Sequence, residues 1–91
     1  MIICEVIGHV WATKKEDTLT GLKLMVVEQI DALTGKRSNV HVAADVVGAG
    51  VGERVLVVSG STARMALGRN DVAADCAIVG IIDSLEVQKH K

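Results

Sequence analysis

The chain has 91 residues, with 10 Lys and Arg against 11 Asp and Glu and a formal charge of −1. That length holds one domain with one core, residues 85–91 forming a tail, and the near-zero charge leaves no electrostatic footprint for DNA or RNA. Hydrophobic residues make up 49%, yet Trp11 is the one aromatic and proline is absent, so the core must be aliphatic and β-branched, as in a compact β domain.

Residues 2–12 alternate with period two, which predicts a strand. Ile2, Cys4, Val6, Gly8, Val10 and Ala12 form one small apolar face, suited to the inside of a barrel. Ile3, Ile7 and Trp11 share the other face, too apolar for open water and suited to a subunit contact. Residues 13–21 are polar and end in Gly21, a loop. Residues 22–33 predict a second strand, with Leu22, Leu24, Val26, Ile30 and Ala32 in phase. Residues 34–38 form a hairpin-type connection. Residues 39–47 predict a third strand, in which Val40, Val42, Ala44 and Val46 alternate with Asn39, His41 and Asp45. A segment with glycine at positions 48, 50 and 52 follows, then a fourth strand over residues 54–59. Residues 60–68 read as a short helix, capped by Ser61 and ended by Gly68. Asn70 and Asp71 mark a turn, and residues 75–87 predict the last strand. Five strands that are apolar on both faces close most simply into a small barrel, removing their edges.

No motif for catalysis emerges. Cys4 and Cys76 lie far apart in apolar runs and read as small core residues. His9 and His41 sit in alternating segments and are expected to face outward; His90 lies in a charged tail. No pair has the spacing of a zinc site. The acids Asp45, Asp71, Asp75 and Asp83 read as turn and strand-end residues. The glycine segment fails as a dinucleotide loop, because Glu53 stands where a third glycine belongs and a strand follows. It reads either as a tight turn or as a close approach of backbones about a symmetry axis. Arg64, a cation among apolar helix residues, either snorkels outward or pairs with a carboxylate at a contact. No apolar run is long enough for a membrane-spanning helix, and the opening MIICEVIGHV lacks the cationic start of a signal peptide.

Several stretches carry a pattern of their own: Gly8-His9-Val10-Trp11-Ala12-Thr13-Lys14, Leu19-Thr20-Gly21-Leu22-Lys23-Leu24, Gly60-Ser61-Thr62-Ala63-Arg64, and Asp75 with Val79-Gly80-Ile81-Ile82-Asp83. The most specific is Ala43-Ala44-Asp45-Val46-Val47-Gly48-Ala49-Gly50-Val51-Gly52-Glu53-Arg54-Val55-Leu56. In this order they resemble one family, the pentameric EutN/CcmL-type vertex proteins of bacterial microcompartment shells. Residues 32–39 and 65–74 depart from the family pattern.

The resemblance implies a five-stranded OB-like barrel with one short helix between the fourth and fifth strands, assembled as a pentamer. It implies a structural role at shell corners in the cytoplasm, beside hexameric shell proteins, with no catalytic residue, cofactor or metal. It places Gly48, Ala49, Gly50, Val51 and Gly52 at the five-fold axis. Asp45, Val47, Glu53, Ser61, Ala63 and Arg64 fall at the subunit boundary, where Arg64 is expected to meet a carboxylate such as Glu53 of a neighbouring copy. The competing readings are an OB-type module binding a small molecule or peptide, which would be monomeric with a saturable ligand, and a small enzyme with an activated thiol.

Overall fold

The computed structural model describes residues 1–68 and 73–85. In chain order they form β1 (Ile2–Val10), a 3-10 turn (Asp17–Leu19), β2 (Lys23–Ile30), β3 (Arg37–Asp45), β4 (Arg54–Ser59), α1 (Gly60–Ala66) and β5 (Cys76–Ile81). The strands close into a barrel in the order β1-β2-β3-β5-β4, β4 returning to β1. Neighbours are antiparallel except β3 and β5, which run parallel at Ala44–Ala77 and Asp45–Ile78. This is the expected architecture, with the helix in its expected place. Strand ends differ: β1 stops at Val10, β2 and β3 shift by one to three residues, and β5 stops at Ile81. The Asn70-Asp71 turn, Val87 and His90 lie outside the described residues.

The interior is aliphatic. Val6, Met25, Val27, Val55, Val57 and Ile78 are fully buried, and each such side chain contributes about 1.5–3 kcal/mol by leaving water. A smaller cluster of Val58, Ala63 and Ala77 seats α1 on β4 and β5. Seven residues are too few for a helix to stand alone, so this contact holds it. Ser59 occupies the N-cap without a side-chain bond, and Ser61, expected to cap, lies inside the first turn. The chain enters the helix two residues earlier than a Ser61 cap would place it, and the Gly60 N–H donates to the Asp75 carbonyl at 2.8 Å. Gly68 follows the end, its N–H donating to the Met65 carbonyl at 3.0 Å.

Cys4 and Val6 of β1 turn inward as expected, but in β2, in β3 and beyond Val6 in β1 the inward face differs from the apolar pattern. In β2 the buried residues of the core are Met25 and Val27, while Leu24 and Val26 face outward; Ile30, at the end of the strand, is buried outside that core, and the pairing with β3 slips by one residue between Glu28 and Ile30. In β3, His41 and Ala43 stand opposite Val27 and Met25, so His41 takes the inner phase and is half-buried. Val40 and Val42 are left 55% and 49% exposed. In β1 a register shift between Val6 and Gly8 makes Ile7 a bulge; beyond it Gly8 and Val10 pair with the outward Val26 and Leu24. The expected continuous stripe of Ile3, Ile7 and Trp11 is thereby broken. Ile3 pairs with Leu56, and Trp11 lies past the strand, 87% exposed and stacked on His9 with ring centroids 5.3 Å apart.

Candidate functional site

Residues 45–53 connect β3 to β4 at one end of the barrel. β3 delivers Asp45 as its last residue, directly opposite Lys23, the first residue of β2. The Asp45 side chain is fully buried. Its Oδ1 accepts the N–H groups of Val47 at 2.9 Å and Gly48 at 3.1 Å, and its Oδ2 accepts that of Ala49 at 2.7 Å. Lys23 Nζ lies 3.4 Å from the same Oδ2 and donates to the Ala49 carbonyl at 2.8 Å. An aspartate that gathers the next backbone donors is a familiar turn device; here a cation on the neighbouring strand strengthens it by charge.

The far half of the segment is tied elsewhere. Gly50 N–H donates to Glu53 Oε1 at 2.7 Å, and Glu53 N–H to the Gly50 carbonyl at 3.1 Å. Gly52 N–H donates to the Val6 carbonyl at 2.8 Å, and Val6 N–H returns a bond to the Glu53 carbonyl at 2.9 Å. Gly48 and Gly52 have φ of +79° and +93°, a region that costs other residues strain. Inside the subunit a Cβ at either would meet nothing within 4 Å, so backbone conformation is what demands glycine there. Gly50 does not have positive φ; a Cβ on it would sit 3.4 Å from Glu53 Oε1. The tight-turn reading thus accounts for two of the three glycines.

Peptide bonds are trans throughout the described residues. Each N–H drawn to Asp45 therefore turns the preceding carbonyl the opposite way, so those of Val46, Val47 and Gly48 point away from the buried carboxylate. On the outside, Val46, Val47, Gly48, Val51, Gly52 and Glu53 are exposed. Ala49 is buried in the core and Ala63 in the helix contact, so any part these two take in a subunit contact runs through backbone. Ser61 is exposed, and Met65 beside it is 74% exposed. Arg64 is half-buried and forms no ion pair among the described residues.

Lys23, Val40 and Val42 were not singled out by sequence reasoning. Lys23 acts through register with a residue 22 positions away, which leaves no local signal. Val40 and Val42 were read only as strand residues; their surplus over what one core can absorb was the available signal. Elsewhere on this outer surface Arg37 spans two strands, reaching Glu5 at 2.9 Å and Glu28 at 3.0 Å.

The thiols are the reverse of activated. Burial pushes Cys4 up to about 11, helped by the nearby Cys76; burial, then Asp75, also raises Cys76. A nucleophilic cysteine needs a depressed value. A cleft of about 400 Å³ lies beside Trp11, lined in part by Val10, Leu22 and Leu24. Its aromatic lining is the Trp11 indole with the His9 imidazole stacked on it, whereas single-strand binding barrels stack successive bases on several separate rings.

The family model described as "Ethanolamine utilisation protein EutN/carboxysome" matches residues 1–83. The chain belongs to the EutN/CcmL family. The carboxysome shell vertex protein CcmL of Synechocystis sp. is 44% identical over 87 residues, covering 96% of this chain and 87% of that protein. The microcompartment shell vertex protein GrpN of Rhodospirillum rubrum is 41% identical, covering 94% and 97%. The solved pentameric GrpN shell protein superposes with a TM-score of 0.87 at 39% identity over 97% of this chain and all of its own. CcmL of Gloeobacter violaceus gives 0.88 at 39% identity, covering 96% and 90%. As an EutN/CcmL chain this protein has a structural family background, and the residues that bear on it are those that shape its outer surface.

Proposed function

We propose that this EutN/CcmL chain forms homopentamers that occupy the corners of a bacterial microcompartment shell in the cytoplasm, beside hexameric shell proteins. The observation that carries this is the likeness of the whole barrel to a pentameric shell protein over 97% of the chain. The mechanism is geometric. Identical copies joined by one heterologous contact close into a ring when the rotation between them is one fifth of a turn. A flat layer of six-fold tiles cannot close; five-fold units at its corners supply the curvature.

The surface of the subunit supports a ring. Val40 and Val42 stand exposed beside the outward Val26, an apolar sheet face larger than scattered surface residues require. A second copy is the occupant its relatives' assembly favours. Residues 46–52 bring exposed valines and glycines to one end, the place for the axis, and the exposed side of α1 offers Ser61, Arg64 and Met65 to the boundary.

Native mass spectrometry tests the reading: five subunits are expected, and a monomer, dimer or hexamer overturns it. A monomer that saturates with a small ligand in the cleft beside Trp11 would instead favour a binding module. Val42→Asp tests the contact face. The expected result is loss of the pentamer with unchanged circular dichroism; a pentamer that survives removes the β2–β3 face from the interface. Arg64→Ala is expected to lower the oligomer's melting temperature, and an unchanged value removes Arg64 from the boundary.

A further inference from the structure

We infer that Lys23 and Asp45 are positioning residues for the glycine-rich segment. As a pair they set its path and turn its N–H groups inward, so that it faces neighbouring copies with carbonyl oxygens. The consequence for a five-fold opening rests on the pentameric reading above; the internal geometry does not.

The two carboxylate oxygens divide the work. Oδ1 holds Val47 and Gly48, while Oδ2 holds Ala49 and the Lys23 ammonium. Lys23 then reaches past the carboxylate to the Ala49 carbonyl. It thereby ties the middle of the segment to the start of β2, a strand the segment does not adjoin in sequence. The Ala49 side chain is inserted in the barrel core directly behind this clamp. The other anchor, Gly52 and Glu53 on Val6, holds only the far end. Between the two anchors just the bonds linking Gly50 and Glu53 remain. Without the clamp, three consecutive donors and a buried carboxylate lose their partners together.

The chemistry separates this role from a general contribution to folding. The Lys23 side chain is 42% exposed, so Lys23→Met removes its charge and its carbonyl bond without opening a cavity. Asp45→Asn keeps one acceptor oxygen and replaces the other by a donor, so the amide cannot serve all three N–H groups.

Backbone amide exchange of the assembled protein reads the clamp, with subunit number measured on the same samples. In Lys23→Met, exchange at Gly48 and Ala49 is expected to speed up by about tenfold, while Val27 and Ile78 stay within about twofold, a local opening. Lys23→Arg keeps a cation and several donors and is expected to restore most of the protection. In Asp45→Asn the three amides are expected to separate, those on the lost oxygen exchanging about tenfold faster than those retained. Unchanged exchange at Val47, Gly48 and Ala49 in both variants overturns the assignment. So does equal acceleration of segment and core amides, the pattern of global destabilisation. If Asp45→Asn does not fold, Lys23→Met and Lys23→Arg decide alone. A wild-type chain that is monomeric yet shows this pattern supports the clamp and overturns the five-fold reading.

Discussion

The barrel interior and the segment at residues 45–53 are held by different kinds of force. Inside, Val27, Val55 and Val57 pack without direction, and each loses stability in proportion to the volume removed. In the segment, one carboxylate and one ammonium fix three residues, Val47, Gly48 and Ala49, by bonds that fail outside narrow angles and distances. The interior therefore answers to size and the segment to geometry. In the pentamer proposed above, a surface repeated identically around an axis needs the second kind of control.

The sharpest way to break this contrast is inside. Met25→Ala is expected to cost about 2–5 kcal/mol, seen as a lower urea midpoint with an unchanged slope. A smaller loss would show that the barrel collapses around the gap. Gly52→Ala adds no clash, yet at φ +93° it is expected to cost about 1–2 kcal/mol by strain, read in the same assay. A neutral result would mean that the segment bends freely. Alkaline titration comes next. The unfolded Cys4 thiol ionises near 9.0 and the folded one near about 11, so the unfolded state sheds its proton first. Stability is then expected to fall as pH climbs from about 9 towards about 11, and Cys4→Ala to flatten that fall in melting curves. Asp31 gives the smallest effect. The N–H groups of Thr34 and then Leu33 hold its carboxyl below 3.8 at the hairpin. Its contribution is present above that value and is lost as pH falls beneath it. Comparing melting at pH 5 and pH 3 for wild type and Asp31→Asn should reveal a difference near the limit of detection.

Much of the fold was legible because its punctuation is local. Gly35 and its polar neighbours mark the hairpin, the glycines at 48, 50 and 52 mark the segment, and alternation marks β1. The inward faces of β2 and β3 were not legible. Both phases of these strands carry aliphatic residues, so period two names a strand without naming its inside. A bulge at Ile7 shifts the phase within β1, the pairing of β2 with β3 slips between Glu28 and Ile30, and nothing in the neighbouring residues announces either. For the candidate site, Asp45 ahead of Val47, Gly48 and Ala49 carries a readable turn pattern, and a strand-end role was expected of it. The half supplied by Lys23 depends on the register in which β2 pairs with β3, and no residue beside Lys23 announces that register. Ser61 shows the reverse error, a correct residue type for a cap at a position the chain has already passed.

Trp11 has a practical consequence. It is the chain's sole strong fluorophore, and it sits beyond the end of β1 on the His9 ring, outside the aliphatic interior. Its emission reports on the solvent and ring stacking at that rim. An optical melt followed through this indole would register fraying at one end of the molecule while the valine-lined centre stayed silent.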